Sequence, residues 1–115
     1  MSIATRRISW IKAAKRDFDA FPRNARDRFF DSLTVVASGG MPSLAKPLKG
    51  FSTGVLELAM QHRGDAYRVV YALRIDPDIW IVHAFQKKSK SGIKTPKTDI
   101  DLITERLKRL RELLG

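Results

Sequence analysis

A chain of 115 residues, 43% hydrophobic and 30% charged, has the size and composition of one globular domain, not of a disordered segment. Its 22 Lys and Arg against 12 Asp and Glu leave a net charge of +10, which repels itself in a compact state and points to a polyanionic partner. Nucleic acid is the default polyanion, with an anionic membrane surface or an acidic protein as alternatives. The absence of cysteine excludes disulfides and thiolate metal sites, and no run approaches the ~18 apolar residues of a membrane span. With no apolar stretch near Met1 that suits a signal peptide, the expected compartment is the reducing cytoplasm, with no membrane partner.

In chain order, "RISWI" (7–11) alternates and predicts a short strand. Ile11, Ala14, Phe18 and Phe21 then fall at helical spacing and predict a first helix. Pro22 suits the first turn of a second helix, whose apolar face is Ala25, Phe29, Leu33 and Val36 and which Gly39-Gly40 ends. Residues 41–54, "MPSLAKPLKGFSTG", read as an ordered loop because prolines and glycines interrupt them. Three strand-like runs follow, "VLELAMQH" (55–62), "AYRVVYALRI" (66–75) and "IWIVHAFQ" (79–86), with turns at Gly64-Asp65 and "DPD" (76–78). Thr95 and Pro96 suit the N-cap and first turn of a last amphipathic helix with the stripe Ile100, Ile103, Leu107, Leu110 and Leu114. The chain therefore reads as a single α+β domain over 1–115, an N-terminal helical hairpin on a small twisted antiparallel sheet.

Strand alternation extends this reading. A two-residue turn at Gly64-Asp65 would pair Gln61 with Arg68, and a three-residue turn at 76–78 would pair Arg68 with Gln86 and Tyr71 with His83. One face then carries Leu56, Leu58, Met60, Tyr67, Val69, Tyr71, Leu73, Ile79, Ile81, His83 and Phe85, for the N-terminal helices to cover. The other carries the small residues Val55, Ala59, Val70, Ala72, Val82 and Ala84, for the last helix, with Gln61, Arg68, Gln86 and Lys88 at one end. A register slip of one residue would move a whole set to the opposite face.

Arg68 is the most informative candidate, since an arginine on a central strand needs partners for five donors. Two readings of it stand open. It pairs with Glu57 or a helix carboxylate and closes the sheet end, or it faces a phosphate with Gln61 and Gln86 beside it. Lys87, Lys88, Lys90, Lys94 and Lys97 read either as a solvated surface run or, since no acid lies between residues 79 and 98, as a segment suited to following a sugar–phosphate backbone. His83 reads as a hydrogen-bonded core histidine, and His62, at the hairpin end, as a candidate for proton transfer. Two histidines on separate strands make no recognisable metal site, and no phosphate-binding glycine loop is present. No cofactor is implied.

The segments "KPLKGF" (46–51), "LEL" (56–58), "YRVVYA" (67–72), "HAFQKKSKSGIKTPKTDIDL" (83–102) and "ERLKRL" (105–110) resemble the RelE/ParE toxin superfamily, in its phage-related Gp49-like branch usually grouped with HigB toxins. The resemblance implies a RelE-like fold and a type II toxin–antitoxin toxin that cleaves messenger RNA on the ribosome without metal. It implies a cognate antitoxin with a helix-turn-helix fold, through which alone operator DNA would be contacted. It assigns the scissile phosphate to Arg68, with Lys87 and Lys88 assisting; beside it, the residues themselves offer Lys87 or His62 to shuttle a proton. Gln61, Gln86, Lys90, Lys94 and Lys49 complete the expected RNA contacts. This chain has "LELAMQ" where RelE carries lysines, and no tyrosine follows its lysine run, so the general base is open. The ParE branch of the same fold inhibits gyrase instead, which leaves a non-catalytic toxin as the alternative, and a non-toxic nucleic-acid-binding accessory protein as a third.

Overall fold

The structure, a computed structural model, describes residues 5–75, 77–88 and 94–115. The element order is β1 (Ile8–Trp10), α1 (Lys12–Asp19), α2 (Arg23–Ala37), β2 (Ala45–Pro47), β3 (Val55–His62), β4 (Asp65–Ala72), β5 (Ile79–Lys88) and α3 (Lys97–Leu114). The five strands form one sheet in the order β1-β5-β4-β3-β2. Pairing is antiparallel except between β1 and β5, which run parallel, so the sheet is mixed and not purely antiparallel. The expected loop at 41–54 also contains β2, which pairs its Lys46 with Glu57. Its Pro47 is tolerated because the strand lies at the sheet edge, where one row of amides needs no partner.

The two helices of the N-terminal half and α3 cover opposite faces of the sheet. Ala14 and Phe18 of α1, with Ala25, Phe29, Leu33 and Val36 of α2, pack on Leu56, Leu58, Met60, Tyr67, Val69, Tyr71, Ile79 and Ile81. The aromatic rings interlock there: Phe18 lies 6.1 Å from Phe29, and Phe21 lies 5.0 Å from Tyr67. Each such ring, sealed from water, contributes about 1.5–3 kcal/mol. On the other face Ile103, Leu107 and Leu110 of α3 meet Val55, Val70, Ala72 and Val82. The expected stripe position Leu114 is instead 52% exposed, beyond the reach of the sheet. Arg6 ties the N-terminus in place by donating to the carbonyls of Leu73 (2.7 Å), Pro77 (3.2 Å) and Asp78 (3.1 Å).

Two details of register differ from expectation. The β3–β4 turn is centred on Arg63-Gly64, not Gly64-Asp65, with φ of 52° and 83° at those residues. Positive φ at both central positions is the turn whose twist matches a hairpin, and glycine accepts it without strain. The pairing moves by two residues, so faces are kept but Arg68 lies opposite Ala59 and Gln61 opposite Ala66. Between β4 and β5 the register shifts at Val70/Tyr71, where Tyr71 pairs with Ile81 and Val70 with His83. One extra residue in β5 at this bulge reverses the alternation beyond it. His83 and Phe85 therefore join the α3 face, and Ala84 joins the core of α1 and α2. The turn at 76–78 lies partly outside the described residues.

Candidate functional site

Arg68 is in the middle of the sheet, on β4, with Ala59 on one side and Phe85 on the other. It is 5% exposed, and its NH1 donates to Glu57 Oε1 at 3.1 Å across the β3–β4 pair. The small side chain of Ala59 leaves room for this diagonal contact. Thr95, just before α3, donates its hydroxyl to Glu57 Oε2 at 2.7 Å and accepts from Arg68 NH1 at 3.4 Å. Thr95 was expected as the N-cap of α3, but Pro96 holds that position and the Thr95 hydroxyl serves the ion pair instead. The arrangement thus realises the first reading of Arg68, a buried partner for Glu57.

The other expected residues divide between the two faces. Lys87 points to the Arg68 side by alternation from Phe85, and its Nζ donates to the Lys94 carbonyl at 2.6 Å. Gln86 does not flank Arg68: it lies opposite Tyr67 and donates to Asp65 Oδ2 at 2.8 Å. Lys88 pairs with Asp65, which places its position on the Gln86 side of the alternation. The bulge is the reason for both corrections. His62 lines a cleft with Asn24, Asp27, Arg28 and Asp31 of α2, on the face away from Arg68, so the two do not converge. Gln61 borders that cleft and also a second one, of about 370 Å³, whose wall includes Arg68, Arg28 and Lys46. Lys90 lies outside the described residues.

A third cleft, of about 400 Å³, opens between β2 and the start of α3. Lys46, Lys49 and Lys94 surround it, Pro47, Leu48 and Ile100 form apolar walls, and Glu57 and Thr95 lie at its base. Lys49 and Lys94, two of the expected contact residues, thus border one cleft. Lys46 borders two clefts and was not singled out; its signal is the "KPLKGF" segment, since a lysine on a short edge strand faces whatever the cleft admits.

Beside this lies a polar chain centred on His83, a hydrogen-bonded core histidine as the sequence suggests, with partners on α3 that the sequence did not single out. His83, 3% exposed, has Nε2 2.7 Å from Asp99 Oδ1 and Nδ1 2.8 Å from Arg106 NH1. A guanidinium only donates, so Nδ1 accepts and Nε2 carries the proton toward Asp99. Burial pushes the His83 pKa below its ordinary value, outweighing the pull of Asp99. Arg106 also donates to the Val82 carbonyl at 3.1 Å, so α3 grips the bulge directly. Asp99 and Arg106 are seven apart on one helix, a spacing that puts them on the side of Ile103 and Leu107. Tyr71, its phenol pushed up to about 12 by burial, offers no proton-transfer group near neutral pH. Among the described residues no cluster of ligands suits a metal ion, and no helix is long and apolar enough to cross a membrane.

This mixed sheet between an N-terminal helix pair and a C-terminal helix defines the RelE-like class of α+β domains. The profile of the phage derived protein Gp49-like (DUF891) family matches residues 16–108, and the chain belongs to that family. Among solved structures, the chain is similar to an arginine double mutant of the E. coli toxin RelE in the free state. The match has a TM-score of 0.60 and 15% identity over 91% of this chain and 97% of that one, a likeness of fold. A second match is the RelBE2 toxin–antitoxin complex of Mycobacterium tuberculosis, at TM-score 0.45 and 19% identity, over 76% of this chain and 98% of that one. A search of curated proteins finds no match.

Proposed function

We propose that the chain is the toxin of a type II toxin–antitoxin system that binds messenger RNA on the ribosome and cleaves it without metal. The observation that carries this reading is the convergence of Lys46, Lys49 and Lys94 on one cleft, with Arg68 and Lys46 on the next, in a chain of net charge +10. Counterion release from a phosphate backbone rewards such a cluster. The RelE-like fold and the family membership support the same class.

In the reaction, a ribose 2′ oxygen attacks the adjacent phosphorus, the 5′ oxygen departs with a proton, and a 2′,3′-cyclic phosphate remains. The extra negative charge of the pentavalent state would be met by Lys87 and the guanidinium of Arg68 where it borders the cleft, at ~3–4 kcal/mol for a well-placed donor, while Lys88, whose strand position falls on the Gln86 side, is left out. His62, on the opposite face, is left out of the proton path, and Lys87 takes that role. A helix-turn-helix antitoxin would mask the lysine-rich face at rest and carry the contact to operator DNA.

The test is expression without antitoxin, followed by pulse labelling and sequencing of RNA ends. Protein synthesis should fall before DNA synthesis, with new RNA ends at codons. One observation favours a second reading: Arg68 is buried against Glu57, as a structural arginine would be. A non-catalytic toxin directed at gyrase or another protein fits that geometry, and would show DNA synthesis falling first with no new RNA ends.

A further inference from the structure

We propose that the cleft between β2 and α3 is a pocket for a single unstacked nucleotide, its base against Pro47, Leu48 and Ile100 and its phosphates on Lys46, Lys49 and Lys94. This deepens the RNA reading above and rests on it for the nature of the polymer. Three features converge. The volume, about 400 Å³, is that of a small-ligand pocket and too small for a duplex. The walls are apolar while the rim is cationic, which matches the amphipathic character of a nucleotide and would leave the apolar walls idle for a bare phosphate. The three rim lysines are exposed, and among the described residues none of them holds a carboxylate, so their charge is open to an anion. At the base, the Glu57 carboxylate is taken up by Arg68 and Thr95, so a phosphate entering above it does not meet an uncompensated negative charge. Apolar contact with Pro47, Leu48 and Ile100 accepts any base, which makes the pocket a holder of the strand and not a reader of sequence.

The probes are adenosine 5′-monophosphate, adenosine and inorganic phosphate, each titrated into ¹⁵N-labelled protein. The nucleotide should shift the amides of Lys46, Lys49, Thr95 and Ile100 and bind about tenfold more tightly than either of its parts. Lys46→Ala with Lys49→Ala should weaken it by about tenfold. Ile100→Asp should abolish it, and an aspartate near the N-terminus of α3 suits the helix dipole, with the thermal midpoint as the check on folding. Phosphate binding as tightly as the nucleotide, or shifts confined to other residues, overturns the pocket, and the lysine pair gives that answer even where Ile100→Asp is unfolded. Nucleotide binding at these residues without RNA cleavage in cells leaves the pocket standing and removes the ribonuclease reading. Cleavage with no nucleotide binding does the reverse.

Discussion

The Arg68 guanidinium and the Glu57 carboxylate meet at 3.1 Å with side-chain exposures of 6% and 1%, closing the centre of the sheet beneath the lysine-rimmed cleft. A buried pair of this kind is stabilising mainly in the sense that neither partner can be left alone.

Arg68→Ala should therefore cost about 3–5 kcal/mol in urea unfolding, because Glu57 then stays buried without its cation. Replacing both by Met should recover most of that loss. If Arg68→Ala is as stable as the parent and only cleavage falls, by ~10²–10³, the arginine acts on substrate and its pairing with Glu57 is incidental.

His83 makes stability depend on pH. Its folded pKa lies below the ordinary 6.5 because burial disfavours the imidazolium. The unfolded chain thus takes the proton first, so the contribution is complete above about pH 6.5 and is lost as pH falls toward the folded value. The groups facing the ring are Asp99 and Arg106 of α3, with Asp17 acting at longer range from α1 and Phe85 stacked on it at 5.1 Å. Urea unfolding from pH 8 to pH 5 should show the decline, and His83→Gln should flatten it. An NMR titration giving His83 a pKa above 6.5 would reverse the sign and sink the argument.

Arg106→Ala should loosen β5, since the Val82 carbonyl and His83 Nδ1 both lose their donor, at about 1–3 kcal/mol for each group that water does not reach. Hydrogen exchange should speed up around residues 82–85 before the rest of the sheet. Uniform protection across the sheet would mean that the bulge is held by packing alone.

Salt dependence measures the lysine cleft directly. Neutralising Lys46 and Lys49 should flatten the log–log slope of single-stranded RNA binding by about 1.4, at ~0.7 for each phosphate contact. An unchanged slope would return both lysines to solvated surface.

Much of this architecture was legible because each element carries its own period. The helix faces Ala14–Phe18 and Ala25–Phe29–Leu33–Val36, the three long strands and the Ile103–Leu107–Leu110 stripe follow from local alternation alone. What escaped is non-local or a matter of a single residue. β1 alternates, but its parallel partner β5 is the last strand in the chain, and β2 hides among prolines and glycines because an edge strand needs little propensity. The bulge at Val82 and His83 leaves no mark in "VHAF", yet it moves Gln86 away from Arg68 and brings Phe85 in. For the site, the charge excess and the Glu57 partner were readable, whereas the grouping of Lys46 with Lys94 requires two segments from opposite ends of the domain to meet.

That meeting has a consequence for the order of assembly. Ser9 and Asp78, hydrogen-bonded at 2.5 Å, are 69 residues apart in the chain, and the second wall of the cleft, from Lys94 to Ile100, follows later still. A nascent chain that has made β2 to β4 owns three adjacent strands of its sheet but only half of a pocket. Ring closure between such distant segments is slow compared with hairpin formation. The cleft would thus stay incomplete while the chain is being made, and become able to hold a ligand only when α3 lies down on the finished sheet.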